Sequence, residues 1–316
     1  MARYLVTGGA GFIGSHLVEA LVSAGHDVVV LDDLSTGKRE NVPGAVDLIV
    51  GDVADKAAVA DALRGADGCF HLAAVSSVQA SVDDWTRTHA ANLSGAVAVF
   101  DAAKRFGALR DDGRPLPVVY ASSAAVYGDN LNVPLNEGEA PQPLSAYAAD
   151  KYGCELHAAV GRRLFNAPFV GLRFFNVYGP RQDPSSPYSG VISIFVNKIA
   201  AGEEVTIFGD GGQTRDFIYV GDVVAALNGA MARAGDPATP PVVNVCRGAE
   251  VSVKALAETL GRICEKTPAI RHADARPGDI RASVGDPARL NDALGVVAQM
   301  SFEDGLARTV AWSRGR

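Results

Sequence analysis

The sequence predicts an α/β protein, a doubly wound parallel sheet joined to a smaller mixed α/β lobe. Three observations predict it. Short β-branched runs alternate with helical patterns through the first half of the chain. Those runs are apolar on both faces, as strands sandwiched between helices must be. A glycine-rich turn then joins the first run to the first helix, the local chemistry of a dinucleotide-binding βα unit. With 316 residues the chain exceeds one ordinary domain. Its 48% hydrophobic and 21% charged residues supply a large core and exclude wholesale disorder.

Taken in order, strands are expected over 4–7, 28–31, 48–50, 69–73, 118–121 and 170–173. Between the first two, Ile13, Leu17, Val18, Leu21 and Val22 recur at the spacing of one helical face, and 59–63 repeats that pattern briefly. Two longer helices are expected over 83–106 and 147–164, and 104–116 reads as a lengthened surface loop. After about residue 175 the rhythm changes to loops rich in Pro, Gly and Ser. Strands at 205–208 and 242–245 and helices at 223–233, 253–264 and 302–313 follow. The division expected is 1–175 for the dinucleotide-binding unit and 176–316 for the lobe, with 215–246 contributing back to the first unit.

Several function classes are disfavoured by composition. A formal charge of −7 argues against non-specific nucleic-acid binding. No apolar run reaches the roughly 18 residues that cross a bilayer, and the N-terminus passes directly into a strand, unlike a signal peptide. Cys69, Cys154, Cys246 and Cys264 stand far apart, and the six His are scattered. Neither a zinc site nor a disulfide framework is expected, and a reducing cytoplasm is.

Gly8, Gly11 and Gly14 form G-x-x-G-x-x-G where the first strand meets the first helix. Without side chains the turn can be tight, the backbone can approach a pyrophosphate, and helix N–H groups can face it. An ordinary glycine turn would need nothing more, but Asp32 ends the second strand 18 residues after Gly14. A carboxylate there accepts ribose hydroxyls and repels a 2′-phosphate. Asp33 adds charge, and no Arg follows until Arg39, so NAD is expected over NADP. Asp52, after the third strand, is expected near the adenine unless it is simply a solvated turn residue.

Tyr147 and Lys151 are four residues apart at the start of a helical stretch and therefore share a face. An ammonium beside a phenol favours the phenolate and moves it toward a useful general base. Ser122 and Ser123 follow a strand at the carboxyl edge, where open α/β sheets bind ligands. A Ser there can hydrogen-bond a hydroxyl undergoing oxidation and relay its proton toward Tyr147.

These pieces together resemble the Rossmann-type extended short-chain dehydrogenase/reductase superfamily, and within it the nucleotide-sugar epimerases typified by UDP-galactose 4-epimerase. The resemblance rests on T-G-G-A-G-F-I-G-S-H (7–16), S-S-A-A-V-Y-G (122–128), Y-A-A-D-K (147–151), L-R-F-F-N-V-Y-G-P-R (172–181), R-D-F-I-Y-V-G-D-V (215–223) and R-P-G-D (276–279). It implies a catalytic set of Ser123, Tyr147 and Lys151. It further implies tightly bound NAD held by Phe12 and Ile13 of the glycine turn, Val53, Leu72, Ala73, Ala74 and Asn92, although Asn92 could equally be a structural hydrogen-bonder. The substrate side implied is a UDP-sugar with Asn176 at the phosphates, Arg215 and Arg276 clamping the diphosphate, Thr206 and Phe208 flanking the uracil, and Val191 and Asp279 nearby.

Related 4,6-dehydratases carry an acidic pair just after the catalytic Ser, whereas this chain has Ala124 and Ala125. The resemblance therefore implies redox-neutral epimerisation at carbon 4 through a 4-keto sugar. In the family the position of Ser283 gates the sugar pocket, and a small residue admits a 2-N-acetyl group. The pair expected is UDP-N-acetylglucosamine and UDP-N-acetylgalactosamine, with UDP-glucose and UDP-galactose second. The stretch 75–79 departs from the family in lacking a Lys found beside the cofactor in some epimerases. The 184–190 stretch is expected to form a loop over the nucleotide. Rival readings are a 4-ketoreductase, decarboxylase or dehydratase-like enzyme, or a non-catalytic NAD-binding regulator. Relatives form homodimers through a four-helix bundle, which would use the two long helices. Val97, Val99, Phe100 and Leu156 would then face either that bundle or the core.

Overall fold

The computed structural model describes residues 1–109, 113–183, 190–275 and 280–315. The chain opens with β1 (Arg3–Thr7), α1 (Phe12–Ser23), β2 (Asp27–Asp32), β3 (Asp47–Val50), α2 (Lys56–Leu63) and β4 (Gly68–His71). Next come α3 (Val78–Asp83), α4 (Trp85–His89), a π-helical turn (Ala90–Ser94) and α5 (Gly95–Gly107). The central segment is β5 (Val118–Ser123), a 3₁₀ turn (Ala124–Tyr127), α6 (Ala146–Phe165), β6 (Phe169–Phe174) and β7 (Asn176–Tyr178). The remainder is α7 (Val191–Ala201), β8 (Val205–Phe208), β9 (Thr214–Tyr219), α8 (Val220–Arg233), β10 (Val242–Val245), β11 (Glu250–Ser252), α9 (Val253–Cys264), β12 (Ile270–Ala273), β13 (Ala282–Ser283), α10 (Ala288–Leu294) and α11 (Phe302–Arg314).

Among the described residues seven strands pair in parallel in the order β3-β2-β1-β4-β5-β6-β10. Parallel strands need helical crossovers, so both sheet faces are covered. On one face Leu17, Val18 and Leu21 of α1 pack with Val223 and Leu227 of α8. On the other, Val59 and Leu63 of α2, Val99 and Phe100 of α5 and Ala158 of α6 close a second core. Strand order reverses between β1 and β4, which opens a crevice at their carboxyl ends.

The second lobe is built on β9, which pairs with β7 and β13 in parallel and with β11 antiparallel. β8 and β12 form a separate parallel pair. Ile192, Phe195 and Val196 of α7, Leu256 and Leu260 of α9, and Leu306 of α11 share its core. From the 215–246 stretch, β10 joins the large sheet and α8 packs on α1, while β9 stays in the lobe.

Three sequence expectations are revised. The helix expected over 83–106 is interrupted, because Asp84 adopts φ −140°, ψ 85° and caps α4 through the Arg87 N–H. A π turn then intervenes before α5. The strand expected over 118–121 runs on through both serines. Finally, α5 continues to Gly107, so the 104–116 stretch begins as helix. Its Gly107 meets the chain returning at Arg114 and Pro115, with an added Cβ falling 2.2 Å from the Arg114 carbonyl oxygen.

Candidate active site

The glycine turn is shaped by close backbone approach. Gly8 has φ +71°, and a Cβ there would lie 2.7 Å from the Ala73 nitrogen; one at Gly14 would lie 2.1 Å from the Gly8 carbonyl oxygen. Gly11 is the N-cap of α1, and no side chain caps that helix. The first-turn N–H groups of Phe12 and Ile13 therefore remain directed at the turn, where the helix dipole favours an anion. Asp32, 6% exposed, accepts the Ala10 N–H at 2.9 Å and the Leu34 N–H at 2.8 Å. Burial raises its carboxyl above the usual range, opposed by those two backbone bonds. Asp33 is exposed and accepts the N–H and hydroxyl of Ser35. Asp52 is exposed and accepts the Ala54 N–H. Val53 is buried against Gly95.

Across the crevice, the segment after β4 is fixed from two sides. Thr7 Oγ1 accepts the Ala73 N–H at 3.2 Å and lies 2.8 Å from His71 Nδ1, while the Leu72 N–H reaches the Thr7 carbonyl. Asn92, 1% exposed and set in the π turn, clasps Val75: its Oδ1 accepts the Val75 N–H at 2.8 Å and its Nδ2 donates to the Val75 carbonyl at 3.1 Å. Its side chain thus shapes the loop carrying Ala73 and Ala74. Burial, followed by the field of Lys151, pushes the His71 imidazole down to about 3.

One strand beyond β4, Ser123 ends β5 and its Oγ accepts the Ala125 N–H at 3.1 Å. Ser145 caps α6 by accepting the Ala148 N–H. That cap puts half-buried Tyr147 in the first turn and Lys151 one turn deeper, 3% exposed. Lys151 Nζ donates 2.9 Å to the Ala121 carbonyl, two residues before Ser123, and lies 5.9 Å from the Tyr147 ring centroid. Tyr147 and Lys151 therefore lie together beside the carboxyl end of β5, the strand that Ser123 closes.

The residues expected on the sugar side come from the lobe. Asn176 is exposed on β7 and pairs with Phe217 of β9. Thr206 and Phe208 lie on β8, and the Thr206 hydroxyl accepts from Arg271 Nη2 at 2.9 Å. Val191 opens α7. Half-buried Arg215 donates through Nη1 to the carbonyls of Thr214 and Ile280. Ser283 stands opposite Arg215 in the β13–β9 register. Arg276 and Asp279, and all of the 184–190 loop except Gly190, lie outside the described residues.

Three buried charged residues were not singled out from the sequence. Glu155 and Arg173 form a buried bidentate pair at 2.7 and 2.9 Å; their signal was a carboxylate one turn past Lys151 and a charge inside an apolar strand. Asp216, buried beside Arg215, accepts the N–H groups of Arg247 and Gly248 at 2.8 Å, linking β9 to the turn after β10.

A dinucleotide cradle at the switch point between β1 and β4, with Ser, Tyr and Lys near the end of β5, defines an enzyme of the extended short-chain dehydrogenase/reductase class. The chain belongs to the NAD dependent epimerase/dehydratase family, whose model matches residues 4–246, and its cofactor is NAD. It is 38% identical to the UDP-glucose 4-epimerase of Mycolicibacterium smegmatis over 99% of both chains. Among solved structures it is 37% identical to the Thermus thermophilus UDP-glucose 4-epimerase in complex with NAD, with a TM-score of 0.89 over 99% of both chains. The UDP-N-acetylglucosamine 4-epimerase of Methanobrevibacter ruminantium, in complex with UDP-N-acetylmuramic acid, is also 37% identical; its TM-score is 0.91 over 99% of this chain and 98% of that one. A UDP-N-acetyl-alpha-D-glucosaminuronate decarboxylase of Bacillus cytotoxicus, 30% identical over 99% and 98%, extends the range of reactions among relatives. The described residues contain no helix long and apolar enough to cross a membrane.

Proposed function

We infer that the protein epimerises UDP-hexoses at carbon 4, with UDP-N-acetylglucosamine and UDP-N-acetylgalactosamine as its preferred pair and UDP-glucose and UDP-galactose as its second. The observation carrying the reading is the Ser123, Tyr147 and Lys151 cluster with no carboxylate in the Ala124–Tyr127 turn that follows Ser123. Elimination needs an acid near the departing hydroxyl, and Ala124 and Ala125 supply none. Bound NAD supplies the hydride acceptor and donor for carbon 4. Ser123 hydrogen-bonds the 4-hydroxyl, Tyr147 takes its proton and later returns it, and Lys151 stabilises the phenolate between those events. The cofactor's pyrophosphate belongs to Gly8, Gly11 and Gly14 with the Phe12 and Ile13 amides. Its ribose belongs to Asp32, with Asp33, Asp52 and Val53 around the adenosine and Leu72, Ala73 and Ala74 toward the nicotinamide.

On the sugar side, Asn176, Arg215 and Arg276 hold the diphosphate, guanidinium forks suiting phosphate oxygens. Thr206, Phe208, Val191 and Asp279 complete the nucleotide side. The preference for acetylated sugars rests on Ser283, whose place opposite Arg215 supports a small residue beside the diphosphate-proximal sugar. A UDP-sugar panel followed by epimer ratio, with no added reductant, tests the reaction. Conversion of both N-acetylated sugars supports it, whereas stoichiometric release of NADH or loss of carbon dioxide replaces it with an oxidative enzyme. Ser283→Tyr should abolish turnover of the acetylated pair and spare UDP-glucose; an unchanged preference removes the gate.

The protein acts as a homodimer. Leu156, Val160 and Leu164 repeat every fourth residue along α6 and are 52%, 51% and 65% exposed, an apolar stripe suited to a helix bundle. Val99 and Phe100 of α5 are buried in the subunit's own core, leaving Leu156 for the interface. A monomeric mass by light scattering, unchanged in Val160→Glu, would remove this reading.

A further inference from the structure

Glu155 has no part in the proton path, yet it lies on the inner side of the catalytic helix one turn beyond Lys151, following Tyr147 and Lys151 at a spacing of four. Its Oε1 accepts the Ser122 hydroxyl at 2.5 Å and Arg173 Nε at 2.9 Å, and its Oε2 accepts Arg173 Nη2 at 2.7 Å. Ser122 immediately precedes Ser123. The Arg173 guanidinium, at the end of β6, lies 4.7 Å from the Tyr127 ring centroid in the turn that follows Ser123. The pair therefore holds both flanks of Ser123 to the helix that carries Tyr147 and Lys151.

Beyond Tyr127 the contacts continue. Its hydroxyl donates 2.7 Å to Asn244 Oδ1, and Asn244 Nδ2 donates 2.8 Å to the Leu135 carbonyl. The Leu135 N–H reaches the Val284 carbonyl at 2.8 Å, next to Ser283. A buried ion pair is a costly way to join a helix to a strand, and an apolar pair of similar volume often does so at least as stably. What three directed hydrogen bonds add is a fixed geometry.

We propose that Glu155, with Arg173, is a positioning residue for proton transfer, setting Ser123 against Tyr147 and Lys151. The inference rests on the epimerase reading of that site. The test compares the holoenzyme with Glu155→Gln and with the double variant Glu155→Leu/Arg173→Met, which removes both charges at once. In Glu155→Gln, kcat should fall about tenfold to hundredfold, as misplacement of catalytic groups by an ångström does, with KM for the UDP-sugar within about twofold. The double variant should regain thermal stability while its kcat stays low.

A readout free of substrate is the ultraviolet phenolate signal of Tyr147, taken as the difference between each protein and its Tyr147→Phe counterpart. Its titration midpoint should move in both Glu155 variants. Recovery of kcat together with stability in the double variant, or an unmoved kcat and phenolate signal in a folded Glu155→Gln, overturns the proposal. If the wild type epimerises no UDP-hexose while the phenolate signal still moves, the epimerase reading fails and the positioning role stands.

Discussion

The cofactor cradle and the sugar-side lobe are built by opposite means. In the cradle, Gly8, Gly11 and Gly14 are near neighbours in sequence, and a Cβ added at Gly8 or Gly14 would come within 3 Å of the backbone of Ala73 or of Gly8. In the lobe, Asn176, Thr206, Arg215 and Ser283 come from four different strands, three of them joined by pairing with β9 and the fourth, β8, paired separately with β12. A cradle made from a short stretch of chain tolerates almost no change. A site collected from distant strands can change its preference one residue at a time, which is where the specificity of a nucleotide-sugar enzyme has room to vary.

The sharpest test of that contrast is Tyr147→Phe, on the cofactor side of the comparison at the start of α6. Turnover should fall by about 10²–10⁴-fold, the usual contribution of a positioned proton carrier, while bound NAD remains at wild-type stoichiometry. A neutral effect would break the comparison at its catalytic end and favour a regulator over an enzyme. Next in size is Gly14→Ala. The new methyl must displace the Gly8 carbonyl, so a loss of about 3 kcal/mol in urea unfolding is expected, together with release of NAD. Retention of cofactor would show the cradle to be as adaptable as the lobe.

The third prediction concerns pH. His71, held neutral by burial and by the field of Lys151 down to about 3, cannot take the proton that an unfolded His takes near pH 6.5. The unfolded state thus binds more protons below that value, and stability falls as pH falls. Between pH 7 and pH 5 the loss should be roughly 2 kcal/mol. It should be smaller in His71→Asn, as measured by chemical denaturation at both pH values; equal slopes would assign the acid sensitivity elsewhere. The smallest effect is expected from Asn92→Ala, at about 1–2 kcal/mol for the released Val75 groups. NAD affinity should weaken with it, read by titrating the apoprotein, because the clasp shapes the loop lining the crevice.

Legibility in the sequence followed the range of the interactions. The glycine spacing, Asp32 and the apolar strands of the large sheet could be read directly, because each is a local pattern. The break at Asp84 could not, since the 83–106 stretch keeps helical composition while a single capping carboxylate restarts the helix. β11 and β13 have three and two residues, too few to show a period, and owe their strand conformation to pairing with β9. α7 went unread beneath the change of rhythm after 175, although its apolar residues complete the lobe core. Glu155 and Arg173 were visible only as isolated charges; their meaning arises where α6, β5 and β6 meet.

By itself the chain determined a parallel α/β sheet, a dinucleotide turn, the preference for NAD and the shared helix face of Tyr147 and Lys151, because sterics at glycine, strand periodicity and one-turn helical spacing act over a few residues. Tertiary structure alone decided that Lys151 would rest on the Ala121 carbonyl, that Ser283 would face Arg215, and that an ion pair would hold both sides of Ser123. Those contacts join residues whose separation along the chain is bridged only when the sheet closes and water is driven from between its layers.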